Sequence, residues 1–230
     1  MNKTLICAAL AASAGLAAAD VYSDSTGDLF DNGFTHLDIA SVTMTNDATW
    51  LNISVQTAGD LDASNWGKYG VGINNGQGDP SDAGNGWGRP IDWNGQVITH
   101  WTASWADDGG SGFGGEVYNF NAGWNLLGAT WNGDTNVVGD DSGHAAGIQS
   151  WSVLLSDLGV GVGDTISFDV ITSGGGGGDP GVDHLSRSDM ATPDWSVASV
   201  AGTFSSYTIV PAPGALALLG VAGLVARRRR

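Results

Sequence analysis

His36-Leu37-Asp38-Ile39-Ala40-Ser41-Val42-Thr43-Met44-Thr45 runs into Asn46-Asp47-Ala48-Thr49, and the chain returns as Trp50-Leu51-Asn52-Ile53-Ser54-Val55-Gln56. In the returning run Leu51, Ile53 and Val55 share one face at period two, the pattern of a half-buried strand. In the outgoing run the apolar side changes between Ile39 and Val42, which predicts a bulge. Asn and Asp between the runs supply turn chemistry, because their side chains bond nearby backbone N–H groups. The stretch therefore reads as a β-hairpin with one apolar face, and that face needs a second layer to cover it.

The same period recurs on either side of a series of polar loops. Tyr69–Ile73 alternates, and Val97, Thr99, Trp101, Ala103 and Trp105 share one face of the next strand. Glu116–Asn121 and Trp124–Trp131 read as a second hairpin joined near Gly123. Trp151, Val153 and Leu155 alternate, and the strand at Thr165–Thr172 buries Ile166, Phe168 and Val170. Trp195–Val200 and Thr203–Ile209 close the series. Asn74–Gly88, Asp107–Gly115 and Gly133–Gly147 are loops of Asn, Asp and Gly, and the first is long enough to be a functional loop. Ser173–Gly178 holds five consecutive glycines, which require either flexibility or close packing. Of 24 acidic residues all but Glu116 are aspartate, and 37 residues are glycine. Aspartate and glycine disfavour helix interiors, so residues 20–209 are expected to form an all-β ectodomain, a β-sandwich of short strands.

The two ends read differently. After Met1-Asn2-Lys3, Thr4 to Ala19 is mostly Ala, Leu, Ile and Gly. Ala17 and Ala19 give the small-x-small pattern of a signal peptidase site, so residues 1–19 read as a signal peptide and Asp20 as the mature start. The lone Cys7 falls within this segment, leaving the ectodomain without a thiol. Residues 210–230 have three parts: the proline motif Val210-Pro211-Ala212-Pro213, an apolar run over about 214–226 expected to be helical, and an arginine cluster at 227–230. Thirteen helical residues span roughly 20 Å, short of the ~30 Å hydrocarbon core. The clustered arginines favour the cytoplasmic side. This layout resembles the PEP-CTERM sorting signals of Gram-negative bacteria, with Ala212 where that motif carries glutamate. The resemblance implies export through the inner membrane and a transient anchor in it. It further implies handling by an exosortase-like sorting protease, then delivery to the cell surface or beyond.

Between these ends only Lys68, Arg89 and Arg187 oppose the 24 acids, a net charge of −21. Such a surface repels phosphate backbones and excludes nucleic acid as a partner. It suits cations or a solvated acidic coat.

Leu37–Val55 and Trp151–Asp169, with their strand-turn-strand layout and Asp-Leu-Gly and Val-Gly-Asp-Thr turns, resemble the β-sandwich of family 9 carbohydrate-binding modules and DOMON-type domains. That resemblance implies a jelly-roll or DOMON-like sandwich, and in family 9 modules sugar is gripped between aromatic rings near calcium. From the residues themselves, Trp66, Trp87 and Trp93 lie among Gly, Asn and Asp, where a flat indole can take a sugar face. Calcium needs six to eight oxygens. Candidate metal groups are Asp79, Asp82 and Asn85, and Asp134, Asn136 and Asp140 with Asp141; Asp24, Asp28 and Asp31, and Asp179 with Asp183, are others. Gly139-Asp140-Asp141-Ser142-Gly143-His144 faintly resembles the serine motif of a protease with an aspartate inserted, and His36, His100, His144 and His184 are isolated. The reading is a non-enzymatic surface or matrix protein associated with extracellular polysaccharide. A carbohydrate-binding module is the alternative and an extracellular hydrolase the outsider.

Overall fold

A computed structural model describes residues 19–64, 66–78, 80, 84–106 and 113–212. The hairpin forms as its pattern requires: β2 (Ile39–Asn46) pairs antiparallel with β3 (Trp50–Thr57), and the register slips between Ile39 and Ser41, at the expected bulge. Asp47 closes the turn, its Oδ1 accepting the N–H groups of Thr49 and Trp50 at 2.7 and 2.8 Å.

Around this hairpin a five-stranded antiparallel sheet, sheet A, runs in the order β1-β2-β3-β10-β9, with β1 at Asp20–Ser23, β9 at Val137–Asp140 and β10 at Ile148–Leu154. Sheet B has the order β12-β11-β4-β6-β7-β8. It uses β4 (Lys68–Asn74), β6 (His100–Ala106), β7 (Phe113–Phe120), β8 (Trp124–Ala129), β11 (Thr165–Ser173) and β12 (Gly181–His184). β14 (Ser205–Thr208) also pairs with β11, and β5 (Ile91–Asp92) makes a two-residue parallel bridge with β13 (Ser199–Val200).

The two sheets share one core. Val42, Met44, Leu51, Ile53, Val55, Trp151 and Val153 of sheet A meet Tyr69, Val71, Ile73, Val117, Ile166, Phe168 and Val170 of sheet B. Trp151 Nε1 donates across the interface to Thr102 Oγ1 at 3.0 Å. A second apolar layer lies on the far side of sheet B, where the 84–98 segment and the 199–204 segment bring Trp93, Ile98, Ala201 and Phe204 onto Trp101, Ala103 and Ile171.

This arrangement corrects several expectations. The 133–147 segment is not wholly loop, because Val137–Asp140 adds edge strand β9 to sheet A, with Val137 buried in the core. Val97 and Thr99 precede β6, so only Trp101, Ala103 and Trp105 of that set lie on the strand. Their face is not the sandwich core but the outer side of sheet B. Trp195–Val200 contributes only β13. The short strands β1, β5 and β12 carry too few residues for a period to show.

The last core residue, Ile209, is fully buried, and Val210 is held by Asn46, which accepts its N–H at 3.0 Å and donates to its carbonyl at 2.9 Å. Pro211 and Ala212 follow. Pro213, the apolar run, the arginines and residues 1–18, with Ala17, lie outside the described residues. Ala19 and Asp20 are exposed at the free edge of sheet A, where Asp20 pairs with Met44. Among the described residues no helix is long and apolar enough to cross a membrane.

Candidate functional site

Side chains alternate across β6 and β7, so Trp105 and Glu116 both point away from sheet A. Gly114 sits opposite Trp105 in the ladder, and a Cβ there would come within 2.2 Å of the indole. Glycine is what lets that ring lie across the sheet. Glu116 stands two residues further along β7, nearly buried.

Glu116 is the only glutamate in the sequence, and its carboxylate organises the aromatic residues around it. Oε2 accepts from Trp87 Nε1 at 2.5 Å and from the Tyr118 hydroxyl at 2.7 Å, while Oε1 accepts from Trp131 Nε1 at 2.5 Å. Bonds from neutral donors to an ionised acceptor are short and strong. Burial, reinforced by the neighbouring Glu116, pushes the Tyr118 phenol well above its usual range, so it stays a donor. Trp87 arrives on the loop before β5 and Trp131 on the 3-10 turn Thr130–Asn132 that follows β8. Lys68, Trp87, Arg89, Trp105, Glu116, Trp131 and Gly177 enclose an open cleft of about 330 Å³. Trp131 is the most exposed of its rings, at 63%.

Arg89 fixes one wall. Its guanidinium lies 5.6 Å from the Trp87 ring centre and donates through Nη1 to the carbonyls of Gly176 and Asp179. Burial lowers its pKa, opposed by Asp179. Half of the glycine run is thus closely packed. Asp179 Oδ2 accepts the Gly176 N–H at 2.8 Å, and a Cβ on Gly174 would meet Asp179 and Trp195.

Of the three tryptophans read as sugar platforms, the structure keeps one in this cleft. Trp87 lines it. Trp93 is fully buried in the outer layer, with Nε1 bonded to the Gly84 carbonyl at 2.8 Å, so it has no ring face to offer. Trp66 packs edge-on against Phe34, His36 and Trp195 in a separate cluster. Trp105, Trp131 and Glu116 were missed as site residues. The one available signal was a lone glutamate, whose longer side chain reaches where aspartate cannot.

Asp134, Asp140 and Asp141 do not bring their carboxylates together. Asp79 and Asp82 lie outside the described residues. Asn85 is buried and spans its own turn, bonding Trp87 N, Arg89 N and the Arg89 carbonyl. Asp134 accepts from Ala129 N and from Asn132, Asn136 donates to Leu127 O and Asp157, and Asp140 accepts Ser142 N. Asn85, Asp134 and Asp140 are each engaged in a local turn, which is a sufficient reason for the residue type, while Asn136 bridges to Leu127 and Asp157.

A Ser–His–Asp chain does exist, away from the Ser142 motif. His184 Nδ1 is 2.7 Å from Asp169 Oδ2, and its Nε2 is 2.8 Å from Ser199 Oγ. All three residues are completely buried, and Asp169 Oδ1 also accepts Ser186 N. A nucleophile needs an open face for its substrate. This chain instead ties β11, β12 and β13 together. Comparison of the sequence and fold with protein-family models, characterised proteins and solved structures finds no match.

Proposed function

We propose that this chain is an exported surface or matrix protein that holds polysaccharide in the Trp87–Trp105–Trp131 cleft. The observation that carries the reading is the set of three indoles gathered around one carboxylate. Rigid aromatic faces lose little entropy on binding and pack against sugar C–H groups, while the polar rim gives hydrogen bonds. The two-sheet architecture suits a DOMON-like or jelly-roll module, the finer class we assign it. The glycan we assign is uncharged. A domain of net charge −21 repels polyanions, and Arg89 is already engaged by two carbonyls and the Trp87 ring. In this reading residues 210–230 are a PEP-CTERM-like sorting signal, processed by an exosortase-like protease.

Trp131→Ala tests the cleft. In affinity electrophoresis through neutral exopolysaccharide, the substitution should weaken retention at least tenfold, as loss of an aromatic hot spot does. Because Trp131 is exposed, Tm should move by no more than a few degrees. Equal retention of variant and parent sinks the sugar reading. The sorting reading is checked by mass spectrometry of the exported protein, which should lack Arg227–Arg230; recovery of the intact C-terminal peptide would leave a plain anchor.

A further inference from the structure

Asp28 of the N-terminal loop converges with Asp38 and Asp183, across the Asp24–Asp28–Asp31 and Asp179–Asp183 groups read from the sequence. Oxygens of Asp28, Asp38 and Asp183 all lie within 4.8 Å of one another, and the field of Asp28 and Asp38 reaches Asp24. Their former partners are occupied elsewhere: Asp31 accepts Gly33 N and Asp179 accepts Gly176 N.

The hydrogen-bond inventory of the cluster is one-sided. Asp183 Oδ2 accepts Ile39 N at 2.6 Å and Oδ1 accepts His184 N at 2.8 Å. Asp38 Oδ2 accepts Gly27 N and Asp24 Oδ1 accepts Ser25 N. The remaining oxygens, Asp24 Oδ2, Asp38 Oδ1 and both of Asp28, are out of solvent and have no donor. Asp38 is only 4% exposed and Asp183 only 2%. A buried carboxylate oxygen without a donor is costly, and four together are relieved either by protons or by positive charge among them. Arg187 is the basic residue whose field reaches Asp28. It bonds instead to Asp189 at 2.9 Å and to the Val200 carbonyl.

We propose that Asp28, Asp38 and Asp183 form a structural calcium site, with Asp24 at its margin. All the donors are carboxylate oxygens, with no imidazole or thiolate, which selects a hard cation. Carboxylates from two segments, the 24–38 loop and β12, form an irregular cage that can bind in mono- or bidentate fashion. Calcium accepts that, whereas magnesium requires near-octahedral geometry and keeps its waters. The position gives the ion a structural role. Asp38 leads into β2 of sheet A and Asp183 lies on β12 of sheet B, so one ion clamps both sheets and the 24–38 loop. The flanking residues Leu29, Leu37 and Val182 form their own apolar cluster with Phe30, Phe34, Trp66 and Trp195. The site is independent of the sugar cleft.

Asp28→Asn in the whole chain, purified in mild non-ionic detergent, is the discriminating variant, because no other residue donates to Asp28 and the asparagine oxygen keeps any bond to its own backbone N–H. Equilibrium dialysis against calcium should show one equivalent fewer per chain in the variant, and the exposed Asp141→Asn should match the parent. Calcium at about a hundredfold over its Kd should raise the Tm of the parent by roughly 5–10 °C at fixed ionic strength. Asp28→Asn should lose most of that rise while melting no lower than the parent in chelator. Unchanged stoichiometry in Asp28→Asn, or an equal Tm rise with magnesium at matched ionic strength, overturns the proposal.

Discussion

The two sheets treat their outward faces in opposite ways. Sheet A turns Ser41, Thr43, Thr45, Asn52, Ser54, Ser150 and Ser152 outward and links them in short cross-strand bonds, Ser150 to Ser54 at 3.0 Å and Ser152 to Asn52 at 2.7 Å. Sheet B turns Trp101, Ala103 and Trp105 outward on β6 and buries the first two under loops. Its inner side on the same strand is polar, with His100, Thr102 and Ser104 paired to Ile73, Val71 and Tyr69. β4 makes this inversion feasible. Its inner residues are Tyr69, Val71 and Ile73, while Gly70 and Gly72 face outward, where a Cβ would meet the rings of Trp101 and Trp93. A strand with apolar residues on both sides needs two covers, and loops provide the second. The cleft forms at the margin of that cover, where Trp87, Trp105 and Trp131 emerge beside Glu116. The difference teaches that sheet B stabilises its outer face by packing aromatic rings under loops, whereas sheet A leaves its outer face polar.

The comparison breaks most visibly at Trp101. If the outer layer is a true core, Trp101→Ala should cost about 3–5 kcal/mol by denaturant unfolding, comparable to a deletion between the sheets. A loss below about 1 kcal/mol would mean that the loops merely rest on sheet B.

The polar inner side of β6 is tested by acid. Burial lowers the His100 pKa to about 4, with Asp157 pulling it back up, and Thr99 Oγ1 lies 2.9 Å from its Nδ1. The unfolded chain therefore takes up this proton first, near pH 6.5. The contribution is intact above that pH and is lost as pH falls towards 4, on the order of 2–3 kcal/mol. His100→Gln should flatten this part of the profile, read as the difference in Tm between pH 7 and 4.5 for parent and variant. Equal slopes would show that His100 is free to charge in the fold.

The smallest effect is expected on the outside of sheet A. The double substitution Ser54→Ala with Ser150→Ala removes both partners of one bond and leaves no orphan, so stability should change by no more than about 1 kcal/mol. A larger loss would show that this face has a cover of its own.

The period-two runs made the antiparallel strands legible, and the hairpin bulge at Ile39–Ser41 was visible as a change of apolar side. The aspartate cluster was legible only in part. Proximity in sequence grouped Asp24, Asp28 and Asp31, and Asp179 with Asp183, but Asp31 and Asp179 each accept a nearby backbone N–H instead. Trp93 could not be told from Trp87, because local composition around both is the same and only the packing of the loop on Gly72 buries one of them. The sequence by itself determined an all-β domain, its longer period-two strands and its acidic composition, since alternation, turn residues and charge act locally. Tertiary structure alone decided which face of β6 is covered, which indoles gather in the cleft beside Glu116 and which three aspartates bring oxygens within 4.8 Å of one another. Those contacts join residues tens to more than a hundred positions apart, and only the pairing of the strands sets their distances.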